Sequence, residues 1–462
     1  MTLVRPAPPR RAGRARTVPG RIRLLTALAV AAVLLLAGAV AMAVAHARDG
    51  LRVIGHTAGP QVVATADLYF ALSDMDAQVA TVLLAGQETG LGPGRQAMLA
   101  LYDQRRSQAD RAVLQAADLA GDDATAQATV RALLDGLGRY ERLASRALVL
   151  DERAGHAAGP PSSQALAVYR QATDLMRLDL LPKAYNLTLD SGTIVRRASI
   201  AELSAMRMGG IWTGVACALA LAVLLTLQIY LSRGFRRTIN LSLLAATVLA
   251  AVLALGGVLV LQRETEVLTH AKEDGFDSVL ALSRARAIGN TLHGDEIRYL
   301  LDPQRADTYE QVYLDKSQAV MYVPAGSLDK YQAALDSRSS GEGDFLGFFG
   351  SEASRLTLTG QRAAFEEVLR RYGEFQDNDR RMRQAAAGGS PRDAVRLALG
   401  PAFGEYDEAL VELIALHRRE FDSAVRDGDG ALTGWDVGPP AAALAAILLI
   451  LVGVRPRLAE YR

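Results

Sequence analysis

Four uncharged apolar segments, 24–45, 208–231, 238–262 and 437–454, divide this 462-residue chain. No Lys, Arg, Asp or Glu interrupts any of them. A charge at the centre of a bilayer costs about 2.5–3.5 kcal/mol on insertion scales, and about 20 helical residues cover the hydrocarbon core. The pattern predicts four membrane-spanning helices. Most of the rest of the chain falls in two long stretches, 46–207 and 263–436.

Charge sets the expected orientation. Arg5, Arg10, Arg11, Arg14, Arg16, Arg21 and Arg23 precede the first segment with no acid among them. The link 232–237 carries Arg233, Arg236 and Arg237, and the tail 455–462 carries Arg455, Arg457 and Arg462 with Glu460. The positive-inside rule assigns these three pieces to the cytoplasm and both long stretches to the outside. The outer stretches then hold 38 basic against 49 acidic residues, a net charge near −11 hidden within the total of +1. Acidic outer lobes argue against nucleic acid as a partner. Trp212 and Trp435 fall at expected membrane interfaces, where amphipathic rings are favoured. The first apolar stretch is too long for a typical signal-peptide core.

Cys217 is the only cysteine and lies in the second segment. The lobes therefore lack disulfides, thiolate metal sites and a cysteine nucleophile. With only four lysines and abundant Ala and Arg, the composition fits a GC-rich bacterial genome.

Both long stretches read as helix. Val130, Leu133, Leu137, Tyr140, Ala144 and Ala147 step by three and four, as do Leu166, Tyr169, Thr173, Met176, Leu180, Lys183 and Leu187. Leu68, Leu72, Met75, Val79 and Val82 repeat the pattern. This is the seam of long helices packed at shallow angles. Asp122 or Asp123, Ser162 or Ser163, and Ser390 before Pro391 are expected helix caps. The fold class is therefore an all-α membrane protein, with four transmembrane helices and two extracytoplasmic four-helix-bundle-like lobes. Arg139-Tyr140 and Arg371-Tyr372 fall in register between the halves, which suggests duplication. An insert near 321–350 breaks the pattern in the second.

Catalytic constellations do not emerge. The six histidines, 46, 56, 156, 270, 293 and 417, show no metal-ligand spacing, and His417 reads as a core residue. Asp427-Gly-Asp429-Gly reads as a flexible turn rather than a calcium loop. Gly90-Leu-Gly92-Pro-Gly94 reads as an interhelical turn. Neither enzyme activity nor a cofactor is expected. Thr173 and Asp379, polar on apolar rows, set helix register or line a ligand site. Phe345, Leu346, Phe348 and Phe349, set between glycines, either plug the end of a bundle or offer an apolar docking surface to an outer partner.

The joints suggest how such a molecule works. Glycine and proline follow the first segment and precede the fourth, so those joints can flex or break. No Gly or Pro occurs from Val258 to Asp274. The second and third segments are thus expected to be stiff conductors meeting at the link 232–237. Neither the link nor the tail is long enough to be a domain, and the proline-bearing basic N-terminus reads as disordered, so a separate cytosolic protein is expected to receive any signal. Arg233, Arg236, Arg237, Arg455, Arg457 and Tyr461 are its expected contacts. Small residues such as Ala27, Ala31, Gly38 and Gly256-Gly257 permit close helix contacts within one chain or between chains, so a homo-oligomer is open.

The four-pass plan, the two helical outer lobes, the minimal hairpin and the ending Arg455-Pro-Arg457-Leu-Ala-Glu-Tyr461-Arg462 resemble the actinobacterial GlnX-like membrane proteins. That resemblance implies a relay of amino-acid availability, of Asp and Glu above all. The signal would run from an extracytoplasmic amino-acid-binding lipoprotein, GlnH, to the cytosolic Ser/Thr protein kinase G. It carries over no site residue. A non-signalling envelope scaffold and a direct small-molecule chemoreceptor are the alternative readings.

Overall fold

The computed structural model describes residues 18–53, 55, 59–88, 90–91, 94–121, 123–235, 240–338 and 346–459. Fifteen α-helices are described: α1 Val18–Leu51, α2 Gly59–Ala85, α3 Arg95–Ala120, α4 Ala124–Ala154, α5 Ser163–Leu175, α6 Leu181–Phe235, α7 Leu241–His270, α8 Asp277–Leu301, α9 Ala306–Val320, α10 Leu328–Arg338, α11 Phe348–Ala353, α12 Gln361–Ala387, α13 Pro391–Ala398, α14 Ala402–Ala431 and α15 Gly438–Ala459. The π-helical segments Met176–Leu180 and Ala271–Phe276 continue α5 into α6 and α7 into α8. Among the described residues the only β-type pairing is a bridge between Tyr322 and Leu346. The protein is all-α.

The chain divides into two compact units. One comprises 1–52, 197–269 and 424–462, and the other 53–196 and 270–423. The first holds the apolar helices. Among the described residues, five helices are long and apolar enough to cross a membrane: Pro19–Leu51, Ala64–Ala85, Arg207–Arg233, Leu241–His270 and Gly438–Pro456. Four overlap the apolar segments of the sequence. The fifth, Ala64–Ala85 of α2, belongs to the other unit, is largely buried there, and carries ion-paired Asp74 and Asp76.

Small residues let the apolar helices approach. A Cβ on Gly257 of α7 would meet Val40 of α1 at 3.1 Å, and one on Gly209 of α6 would meet Ala43 of α1 at 3.1 Å. Asn240 donates to the Gly453 carbonyl at 2.7 Å, joining α7 to α15. Arg48 of α1 donates to the Leu432 carbonyl at 2.7 Å and pairs with Asp436. The close contact expected of Gly257 is thus made within one chain. Residues 427–431 belong to α14. The flexible turn expected there is replaced by helix, and Gly428 packs against Leu51 of α1. Helix packing on a Cβ-free face offsets the modest helix penalty of glycine.

In the second unit the heptad positions face inward. Val130, Leu133, Leu137, Tyr140, Ala144 and Ala147 of α4 are all buried, as are Leu68, Leu72, Met75, Val79 and Val82 of α2. Burying each large apolar side chain contributes about 1.5–3 kcal/mol. Asp123 caps α4 by accepting from the Thr125 and Ala126 amides at 2.8 and 3.2 Å, and Ser162 caps α5. Ser390 stands at the cap of α13 with Pro391 behind it, but its hydroxyl makes no capping bond.

One core is drawn wholly from the second stretch, from Val279 to Ile414. The other mixes the two stretches: it runs from Leu68 to Leu187 and takes in Ile297, Leu301, Met382, Ala394, Val395, Ala398 and Leu399. The stretches read from sequence as two lobes therefore share packing in one unit. The helix that joins them most closely to each other is α2, laid along α8.

Candidate functional site

The α2–α8 seam concentrates the buried charge of this unit. Asp76 of α2 is fully buried and accepts from three side chains: Thr173 at 2.8 Å, Arg298 at 2.9 Å and Tyr140 at 3.0 Å. Arg298 of α8 is only 2% exposed and reaches Asp295 through its other terminal nitrogen. Lys316 of α9 donates to Asp295 at 2.6 Å, and Arg177 stands 3.7 Å from the same carboxylate. The three cations hold the Asp295 carboxyl below its usual range although burial pushes the other way. Removing charges from water costs several kcal/mol per ion, so such a cluster persists only where each charge is met.

Further polar ties lie along the seam and around it. Asn290 of α8 donates to Ser73 of α2 at 2.9 Å. Arg170 of α5 forks onto Asp302 just beyond α8, with its Nε at 2.8 Å, and Arg305 meets Asp174 at 2.9 Å. Glu88, beyond the end of α2, pairs with Arg392 of α13. Asp74 pairs with Arg105 of α3. Phe70 lies beneath Arg286, whose guanidinium is 3.9 Å from the ring centre and forks onto Asp407 at 2.6 and 2.8 Å.

His293 completes the seam. It stacks on Phe403 with 4.4 Å between centres and lies 3.1 Å from Glu296. Burial lowers the imidazole to about 4. Burial, then the neighbouring Asp379, raises the Glu296 carboxyl well above its usual range. Burial thus disfavours the charged form of both partners of this contact. Asp379 accepts from Gln332 and Arg383, each at 2.9 Å.

A shallow cleft with a cavity volume of only about 10 Å³ lies between α2, α6 and α8. Tyr69 and Tyr185, edge to face at 6.0 Å, line it with Ala66, Ala287 and Ile288.

The residues singled out from sequence lie elsewhere. Thr173 and Asp379 are both spent on buried hydrogen bonds within the protein. His417 is buried, 2.6 Å from Glu352, as a core histidine. Phe349 is a correction. It is fully buried, edge-on to Phe365, Tyr372 and Tyr406 at 6.1, 5.5 and 6.5 Å, and so offers no docking surface. Gly347 permits this, since with φ +90° a Cβ would sit 2.8 Å from the Ala319 carbonyl. Phe348 is half-buried against the same core, and Leu346 is 67% exposed. Phe345 lies outside the described residues. Arg233 and Arg455 are exposed. Arg236, Arg237 and Tyr461 lie outside the described residues, and of the Arg457 side chain nothing is described.

Sequence reasoning missed Asp76, Asp295 and Arg298. The available signal was a contradiction: α2 is apolar enough to pass for a membrane span, yet carries Asp67, Asp74 and Asp76. Acids on so apolar a helix demand partners, and only the fold shows that α3 and α8 supply them.

Residues 50–199 match the family model described as an actinobacterial sensor domain. No curated protein and no solved structure matches. The match covers α2 through α5 and the start of α6, the elements that present Asp74, Asp76 and Thr173 to the seam. It supports an actinobacterial sensor protein, and the apolar helices are compatible with a membrane protein.

Proposed function

We propose that the chain is a four-pass transmembrane signal transducer. Its four spans are the apolar segments 24–45, 208–231, 238–262 and 437–454, with the unit 53–196 and 270–423 outside and the link 232–237 in the cytoplasm. The positive-inside distribution of arginine supports this topology. The ion pairing of Asp74 and Asp76 supports counting α2 as a core helix rather than a fifth span.

The observation that carries the reading is the seam. The sensor-like stretch is bonded to the second stretch through buried charges, so a partner that moves α2 must disturb α8. Alpha-helix α8 continues the third apolar helix through the π-helical segment Ala271–Phe276. A ligand acts on such an equilibrium only through its different affinity for two arrangements, and buried ion pairs with discrete partners favour discrete arrangements. In this reading an extracytoplasmic amino-acid-binding lipoprotein reports Asp or Glu availability to the outer unit. A cytosolic Ser/Thr protein kinase receives the signal at the arginine-bearing link. The chain itself is assigned no enzymatic role.

The test is a pull-down of the full chain from membranes with and without added Asp or Glu, followed by kinase activity in the same cells. The relay predicts amino-acid-dependent recovery of a binding lipoprotein and a change in kinase output. Recovery of envelope proteins with no dependence on amino acids points to a scaffold. Thermal stabilisation by a free small molecule alone points to a direct chemoreceptor. Leu261→Pro, which interrupts α7, is expected to uncouple binding from output. If both survive it unchanged, the conductor role of α7 is wrong.

A further inference from the structure

Glu264 stands just past the third apolar segment, after Arg263, where α1, α7 and α14 meet within the membrane-type unit. Its side chain is fully buried, and neither carboxyl oxygen has a hydrogen-bond partner among the described residues. Gly428 of α14 lies directly against it. A Cβ there would be 2.9 Å from a Leu51 methyl of α1 and 3.1 Å from Glu264 Oε2. The carboxyl is therefore held between leucine methyls and a glycine Cα.

A buried carboxylate without hydrogen-bond donors is expensive to keep ionised, and buried acids meet that cost by holding their proton. Among the described residues, the charged groups that act on Glu264 are Asp429 on α14 and Arg263 on its own helix. Burial and then Asp429 favour the protonated form, and Arg263 opposes them. On α1, Arg48 is occupied by Asp436 and the Leu432 carbonyl.

We infer that Glu264 is a proton-binding site that makes the α1–α7–α14 junction respond to the acidity on its side of the membrane. The neutral acid fits between Leu51 and Gly428. Loss of the proton creates a charge that must be hydrated, and water reaches it only if Gly428 and Leu51 part. This proton input is separate from amino-acid sensing and does not depend on the relay proposed above.

The experiment uses the full chain in lipid nanodiscs, titrated over about pH 5–9, the range in which buried glutamates titrate. Trp435 packs on Gly256 of α7, where a Cβ would sit 3.2 Å from its ring. In a Trp212→Phe background it is the sole tryptophan and reports how the segment after α14 packs on α7, about two helical turns from Glu264. The expected result is a one-proton fluorescence transition with a midpoint above the ordinary glutamate value of about 4.3. Glu264→Gln should abolish it and keep the low-pH spectrum throughout. Asp429→Asn should lower the midpoint, because a like charge is removed. A transition that persists unchanged in Glu264→Gln overturns the assignment, as does a titration with no transition. If Glu264→Gln fails to fold, an unshifted midpoint in Asp429→Asn overturns it.

Discussion

Replacing Arg298 with methionine removes the cation that joins α2 to α8 while keeping much of the side-chain volume. Asp295 retains Lys316 and Arg177, but Asp76 loses its cation and keeps only the hydroxyls of Thr173 and Tyr140. Breaking a buried pair by removing one partner costs about 3–5 kcal/mol, because the other charge stays buried. At about 2–3 °C per kcal/mol for a body of this size, Tm should fall by roughly 6–15 °C. Far-UV circular dichroism of the full chain is the suitable probe, since both tryptophans lie in the other unit. Adding Asp76→Asn should restore much of the loss, because an amide tolerates burial beside two hydroxyls. Hydrogen exchange in the Arg298→Met chain should quicken in α2 and α8 together. A Tm drop below about 2 °C, strict additivity of the two substitutions, or loosening confined to one stretch would refute the claim that this ion pair binds the stretches into one body.

Three further outcomes follow from the same geometry. Phe349→Ala should cost about 3–5 kcal/mol in thermal unfolding, whereas Leu346→Ser should be nearly neutral; equal costs contradict the placement of the two side chains. Gly86→Ala should destabilise by about 1–3 kcal/mol, because φ is +58° and the added Cβ would lie 2.5 Å from the His156 carbonyl oxygen, a backbone atom; a neutral result in a melting curve contradicts that approach. His293 titrates at about 4 in the folded protein, below the ordinary imidazole value of about 6.5, so its contribution is complete above about pH 6.5. That contribution is lost as pH falls toward 4, by at most about 3 kcal/mol, and the difference in stability between the native chain and His293→Gln should narrow over the same window.

The helical rows were legible because burial on a helix repeats every three to four residues, whatever the rest of the molecule does. Asp123 and Ser162 were readable for a similar reason: a cap bonds amides two or three residues away. Other local readings failed where packing outweighed propensity. Gly428 and Gly430 suggested a turn, yet α14 continues through them because Leu51 needs the space a side chain would fill. The phenylalanine-glycine stretch gave two options, and the choice between plug and surface depended on rings from α12 and α14 at Phe349.

The sequence alone determined the four uncharged segments, the predominantly helical character of the long stretches between them and the asymmetric placement of arginine. Each of these is a sum over neighbouring residues. It did not determine the partner of any buried charge. Asp76 and Arg298 are 222 residues apart, and Ser73 and Asn290 are 217 apart. A charge in a sequence carries no sign of whether it meets water or an opposite charge. Only the laying of α2 along α8 decides that, because desolvation and pairing depend on distance through space.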